Sequence, residues 1–148
     1  MSFEFSLAAV LRYRESIEQR EYFALEKTQQ EISHLEARIR NVEQECSTAA
    51  KGRASDLAMG IPAADVQSGY EYQTALEQQI EALRNVLKEL KIKWRQQLLS
   101  YEAARRNCET LEELREKQLH VYDREKAKRE QSAIDDLFLS RRGRGKGN

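Results

Sequence analysis

The sequence predicts an all-α fold, a long antiparallel two-helix coiled-coil hairpin, and three observations predict it. One apolar stripe runs at alternating steps of three and four through Ile80, Leu83, Leu87, Leu90, Trp94, Gln97, Tyr101, Ala104, Cys108 and Leu111, with Gln97 its one strongly polar member. A second stripe of the same spacing occupies the first half of the chain. The helix breakers are confined to one interior stretch and the end: glycine stands at 52, 60, 69, 143, 145 and 147, and the single proline is Pro62. A repeat of about 3.5 residues keeps one seam of a helix against a partner helix and leaves the charged remainder in water.

The hairpin domain is expected over residues 1–139. Its first helix, about 5–50, opens on Phe3, Phe5, Leu7, Val10, Leu11, Tyr13 and Ile17, with Ser2 or Ser6 as its N-cap. Its second half carries a seam of Leu25, Ile32, Leu35, Ile39, Val42, Cys46 and Ala49. Between Arg14 and Glu21 the phase breaks, with Ile17 and Phe23 off the extrapolated seam, as a stutter produces.

Residues 51–65 read as the hinge, because Pro62 holds Ile61 out of the helical region. Asp65 is one candidate cap for the next helix, and Ser68 with Glu71, at capping-box spacing, is the other. The second helix is expected over about 66–139, and residues 140–148 (SRRGRGKGN) as a flexible basic tail.

Folding back about an apex at Ala58–Gly60 faces Ile39 with Ile80, Leu35 with Leu83, Ile32 with Leu87, Leu25 with Trp94, Ile17 with Tyr101, Leu11 with Cys108 and Leu7 with Leu111. In this register the first helix ends near Leu111, and residues from about His120 to Leu139 extend without a partner. Apolar side chains persist there, so this stretch is either frayed or docked into a partner, a candidate binding end. Tyr70 and Tyr72, of which only one fits the seam, pose the same question beside the hinge.

Composition excludes several function classes. Lys plus Arg equals Asp plus Glu at 25 each, so the chain lacks the basic excess of a general polyanion binder and no nucleic-acid partner is expected. The charges of Arg141, Arg142, Arg144 and Lys146 leave open a weak, salt-sensitive contact with nucleic acid, a contact with an acidic protein surface, and a merely solvated end. The longest apolar run, Leu7 to Leu11, is too short to span a bilayer, so membrane association is expected only through partners. The beginning of the sequence lacks the basic-then-apolar pattern of a secretory signal. Cys46 and Cys108, both on seam positions and without metal-site spacing, point to a reducing compartment, the cytoplasm.

No catalytic, cofactor or metal site is expected. There is no Gly-rich phosphate loop, HExxH or nucleophile elbow. His34 and His120 fall at opposite ends in the seam register. Carboxylates interleave with bases at helical spacing, as in Glu77, Glu81, Arg84 and Lys88, the pattern of a solvated face.

The opening FEFSLAAVLRYRESIE, from Phe3 to Glu18, resembles the Phe-x-Phe-x-Leu-x-x-Val-Leu-Arg-x-Arg-Glu start of the flagellar FliJ export proteins. The stretch from Leu111 to Arg142 is similar to that family's ending, with Lys128-Arg129-Glu130-Gln131 and Ile134-Asp135-Asp136-Leu137 in place of its Arg-Arg-Glu-Gln and Leu-Asp-Glu elements. The resemblance implies a non-enzymatic, stalk-like coiled coil of the bacterial flagellar type III protein export apparatus, serving motility and chemotaxis. It implies binding to the export ATPase hexamer and promotion of its assembly, contact with the cytoplasmic domain of the export gate, and contact with export chaperones. The implied location is cytoplasmic and peripheral to the inner membrane. Gate contacts map to Tyr72, Leu76 and Leu83, of which Leu76 and Leu83 equally suit the seam. ATPase-ring contacts map to Val121, Tyr122, Arg129, Gln131, Ile134, Leu137 and Phe138. A virulence secretion stalk and a generic dimeric coiled-coil adaptor are the competing roles.

Overall fold

The computed structural model describes residues 2–146 and contains two helices, α1 (Ala8–Ala58) and α2 (Ala63–Lys146). Their packing divides the chain into two units: Arg20–Glu102 forms one, and Met1–Gln19 with Ala103–Asn148 forms the other.

The connection is much shorter than the expected hinge of 51–65. α1 ends in a Schellman motif: the Gly60 N–H donates to the Leu57 carbonyl (3.3 Å) and the Ile61 N–H to the Asp56 carbonyl (3.3 Å). Gly60 takes a φ of 75°, which an L side chain rarely adopts. Pro62 follows, and its carbonyl accepts from Asp65 N–H (3.0 Å) and Val66 N–H (3.3 Å), so α2 starts there. Asp65 stands in the first turn, against the positive end of the helix dipole. Ser68 is already helical and donates its hydroxyl back to the Ala64 carbonyl, 3.2 Å away. Gly52 and Gly69 lie inside α1 and α2. A glycine costs a helix about 1 kcal/mol, too little to stop one that also packs on a neighbour.

At its start α1 uses neither candidate serine. The Leu7 carbonyl accepts the first helical bond, from Leu11 N–H at 2.9 Å, after a turn in which Ala8 N–H meets the Phe5 carbonyl. At its far end α2 continues through Lys146, so the expected flexible tail from 140 is helical as far as it is described; Met1, Gly147 and Asn148 lie outside the described residues. Arg141, Arg142, Arg144 and Lys146 favour this, because cations complement the negative C-terminal end of a helix.

Both helices bury a single narrow stripe. On α2 it runs from Val66 to Tyr122, and every member of the expected Ile80–Leu111 stripe is buried or half-buried. On α1 the stripe passes through Leu11, Arg14, Glu18, Glu21, Leu25, Thr28, Ile32, Leu35, Ile39, Val42, Cys46 and Ala49 at unbroken steps of three and four. The expected stutter is therefore absent. Arg14, Glu18 and Glu21 stand in phase and half-buried, while Phe23 is exposed. Thr28 is fully buried and turns its hydroxyl onto the Ala24 carbonyl, 3.2 Å away.

In the unit Arg20–Glu102, contacts that climb α1 descend α2. Tyr22 stacks on Tyr101 (5.8 Å between ring centroids), Glu36 reaches Lys91 (3.9 Å), Glu43 pairs with Arg84 (2.6 Å), and Arg53 covers the Tyr70 ring. The helices are thus antiparallel. The core of the unit is Val42, Leu76 and Ile80, with Cys46, Ala49 and Leu83 packed against it. Gln97, the polar member of the stripe, keeps its buried Oε1 without a hydrogen-bond partner.

The second unit pairs the first residues of the chain with α2 beyond Ala103. Phe3 stacks on Tyr122 (5.6 Å), Leu11 shares a groove with Glu112, Arg115 and Leu119, and Cys108 meets Glu18. In both units the observed register differs from the expected one. Tyr101 meets Tyr22 rather than Ile17, and Cys108 meets Glu18 rather than Leu11, a slip of roughly one helical turn or more. Pairing reaches Tyr122, so the unpaired extension begins close to the expected start near His120.

Two consequences are measurable. Ile80→Ala should lower unfolding stability by about 2 kcal/mol or more in urea, whereas Leu137→Ala on the exposed extension should change it by under about 0.5 kcal/mol. Cys108, 2% exposed, has its thiol pKa raised from 9.0 to about 11, first by burial, then by its hydrogen bond to Glu18 and the negative charges of Glu18, Glu15 and Glu112. Its contribution is complete below pH 9. Between 9 and 11 the unfolded chain has lost a proton that the folded chain keeps, so stability falls as pH rises. Cys108→Ala should show a shallower decline across that window in thermal melts.

Candidate functional site

Among the described residues the grooves beside the seam are open to solvent, so the exposed side chains outside it are the candidates for contact. Two surfaces stand out, one in each unit.

The first adjoins the turn. Arg53, near the end of α1, lays its guanidinium 4.0 Å from the Tyr70 ring centroid and donates to the Gln73 side-chain carbonyl. This cation–π and hydrogen-bonded clamp fixes the first turns of α2 against the last turns of α1. Tyr72 points outward, 54% exposed, and lines a shallow groove with Asn41, Gln44, Glu45, Thr48 and Ala49 of α1. Leu57 and Met59 add exposed apolar surface at the turn itself, which sequence reading missed because both were assigned to a hinge. Leu76, only 6% exposed, belongs to the core with Val42 and Ile80, and Leu83 packs half-buried against it. Of Tyr72, Leu76 and Leu83, Tyr72 alone is exposed.

The second surface is the extension of α2. From Asp123 to Gly145 every residue is exposed. Local bonds stiffen it: Arg129 pairs with Glu125 (3.7 Å), and the Gln131 amide donates to Asp135 (3.0 Å). Ile134, Leu137 and Phe138 are exposed, as is Leu139, which the sequence reading passed over. Val121 is exposed at the edge of the paired region, and Tyr122 is half-buried against Phe3. The structure therefore brings Arg129, Gln131, Ile134, Leu137 and Phe138 onto one unpaired stretch and assigns Tyr122 to the seam's last contact.

Among the described residues no three His, Cys, Asp or Glu side chains converge as metal ligands, and no helix is long and apolar enough to cross a membrane. Both cysteines are free thiols. His34 and His120 are each exposed on their helices.

No curated protein and no solved structure matches the chain significantly. A family model described as Flagellar FliJ protein matches residues 3–147. That span takes in both helices, the turn and the unpaired extension, in agreement with two long helices packed against each other. The chain belongs to the flagellar FliJ family of export-related coiled-coil proteins.

Proposed function

We propose that this chain is a non-enzymatic stalk of the flagellar type III export apparatus, binding the hexameric export ATPase through the extension of α2 and promoting its assembly. The observation that supports this most is the extension itself. A helix carrying Ile134, Leu137 and Phe138 in water, beyond the contact of Tyr122 with Phe3, gains more from a partner than from solvent. Arg129 and Gln131 supply polar contacts on the same stretch, and Val121 and Tyr122 lie at its root. A helix docked into a ring needs stiffness and side-chain anchors rather than reactive groups, and the charge pairs along the extension serve that stiffness.

The turn end then meets the cytoplasmic domain of the export gate. Tyr72 is the contact residue, held by the Arg53 clamp beside it, and Leu76 and Leu83 support the helix beneath. Export chaperones are further partners of this role. The protein is placed in the cytoplasm, peripheral to the inner membrane by way of the apparatus.

Truncation after Tyr122 separates the stalk from its fold. The shortened chain should keep its helical melting transition, because the removed residues from Asp123 to Gly145 are all exposed, while ATPase hydrolysis in its presence should fall to the rate of the ATPase alone. Full stimulation by the truncated chain would refute the assignment.

A further inference from the structure

We infer that the end of α2, from Leu137 to Lys146, is a docking surface for an anionic lipid bilayer. The charge pattern changes abruptly there. Asp136 is the last acidic residue of the sequence, and Arg141, Arg142, Arg144 and Lys146 follow it. Immediately before them Leu137, Phe138 and Leu139 are exposed on the same helix, with Ile134 one turn earlier.

Geometry separates a lipid surface from a protein groove. A groove takes one stripe of anchors at helical spacing. Leu137, Phe138 and Leu139 are consecutive, each about 100° further round the helix, and together they sweep about 200° of its circumference. So broad an apolar face suits a fluid acyl boundary that closes around the helix. Arg141 and Arg142 follow Leu137 and Phe138 by four residues, so they continue the same face one turn on. Their aliphatic stems lie along apolar surface while the guanidinium groups reach the phosphate level. Apolar residues and a basic cluster are the two signals that interfacial helices combine, since either alone holds weakly. The exposed guanidinium groups of Arg141, Arg142 and Arg144 face no acidic neighbour within the stretch from Leu137 onward.

This surface goes beyond the stalk role and needs no ATPase. It shares Leu137 and Phe138 with the proposed ring contact, so the two are mutually exclusive on one molecule, and ring binding would release the helix from lipid.

The test is co-flotation of the full chain with vesicles of phosphatidylcholine alone and of phosphatidylcholine mixed with phosphatidylglycerol, without ATPase. Binding to the anionic vesicles should be about tenfold tighter or more, and should weaken as salt rises. Arg141→Gln with Arg142→Gln and Arg144→Gln should remove the anionic preference, and Leu137→Ser with Phe138→Ser should remove binding. Both variants should melt as the parent does, because these side chains lie outside the seam. Equal partition into both vesicle types, partition unchanged by either variant, or no partition at all would overturn the proposal. In that last case, retention of the chain on an acidic protein surface would assign the basic cluster to a protein partner. None of these outcomes bears on ATPase stimulation, so the lipid surface and the stalk role fail separately.

Discussion

Each helix of this chain hides one narrow stripe from water, and such a stripe is stable only against another of the same pitch. Everything else follows from that constraint. The charge-rich remainder faces solvent, and the grooves among the described residues lie open beside the seam. Side chains at 2% exposure, Thr28 and Cys108, occur only where the two stripes press together. The exposed apolar side chains left over include those at the turn and on the part of α2 that α1 does not cover.

The stripe tolerates polar members because it is narrow. Arg14, Glu18 and Glu21 occupy it in phase and half-buried, and the Glu18 carboxylate accepts a hydrogen bond from the Cys108 thiol. Gln97 is different: its amide oxygen is buried without a partner, a cost that an apolar residue of similar size would not carry. Polar seam positions of this kind commonly fix which partner and which alignment a coiled coil accepts. The surface ion pairs Glu43–Arg84 and Glu36–Lys91 add little energy, being largely exposed, but they agree with the same antiparallel alignment.

The stripe from Ile80 to Leu111 was legible in the sequence because its members, Gln97 apart, are apolar or aromatic at the right spacing. The alignment of the two helices was not. Both stripes repeat every few residues, so sliding one past the other by a turn still sets apolar against apolar. Pairing Ile17 with Tyr101 therefore looked as good as the observed pairing of Tyr22 with Tyr101. What fixes the alignment is the compact turn at Gly60 and Pro62 together with the Arg53 clamp, and neither is visible from seam matching. The early part of α1 was misread for a related reason: charged residues on the stripe look like a break in phase when exposure is unknown. At the other end, Gly and Arg suggested a loose tail, whereas basic residues at the close of a helix support it. Of the candidate site, Tyr72 and the apolar residues of the extension were legible as residues left over from the seam, while the exposure of Leu57, Met59 and Leu139 required coordinates.

The most direct test of intrachain, antiparallel pairing in this alignment is nuclear Overhauser contact between aromatic rings, measured on isotopically labelled chain diluted into an excess of unlabelled chain. Tyr22 and Tyr101, 5.8 Å apart between centroids, and Phe3 and Tyr122, 5.6 Å apart, should both give ring-to-ring contacts that survive the dilution. Contacts that vanish on dilution, or a Tyr101 contact to Ile17 in place of Tyr22, would contradict the structure and the roles built on it.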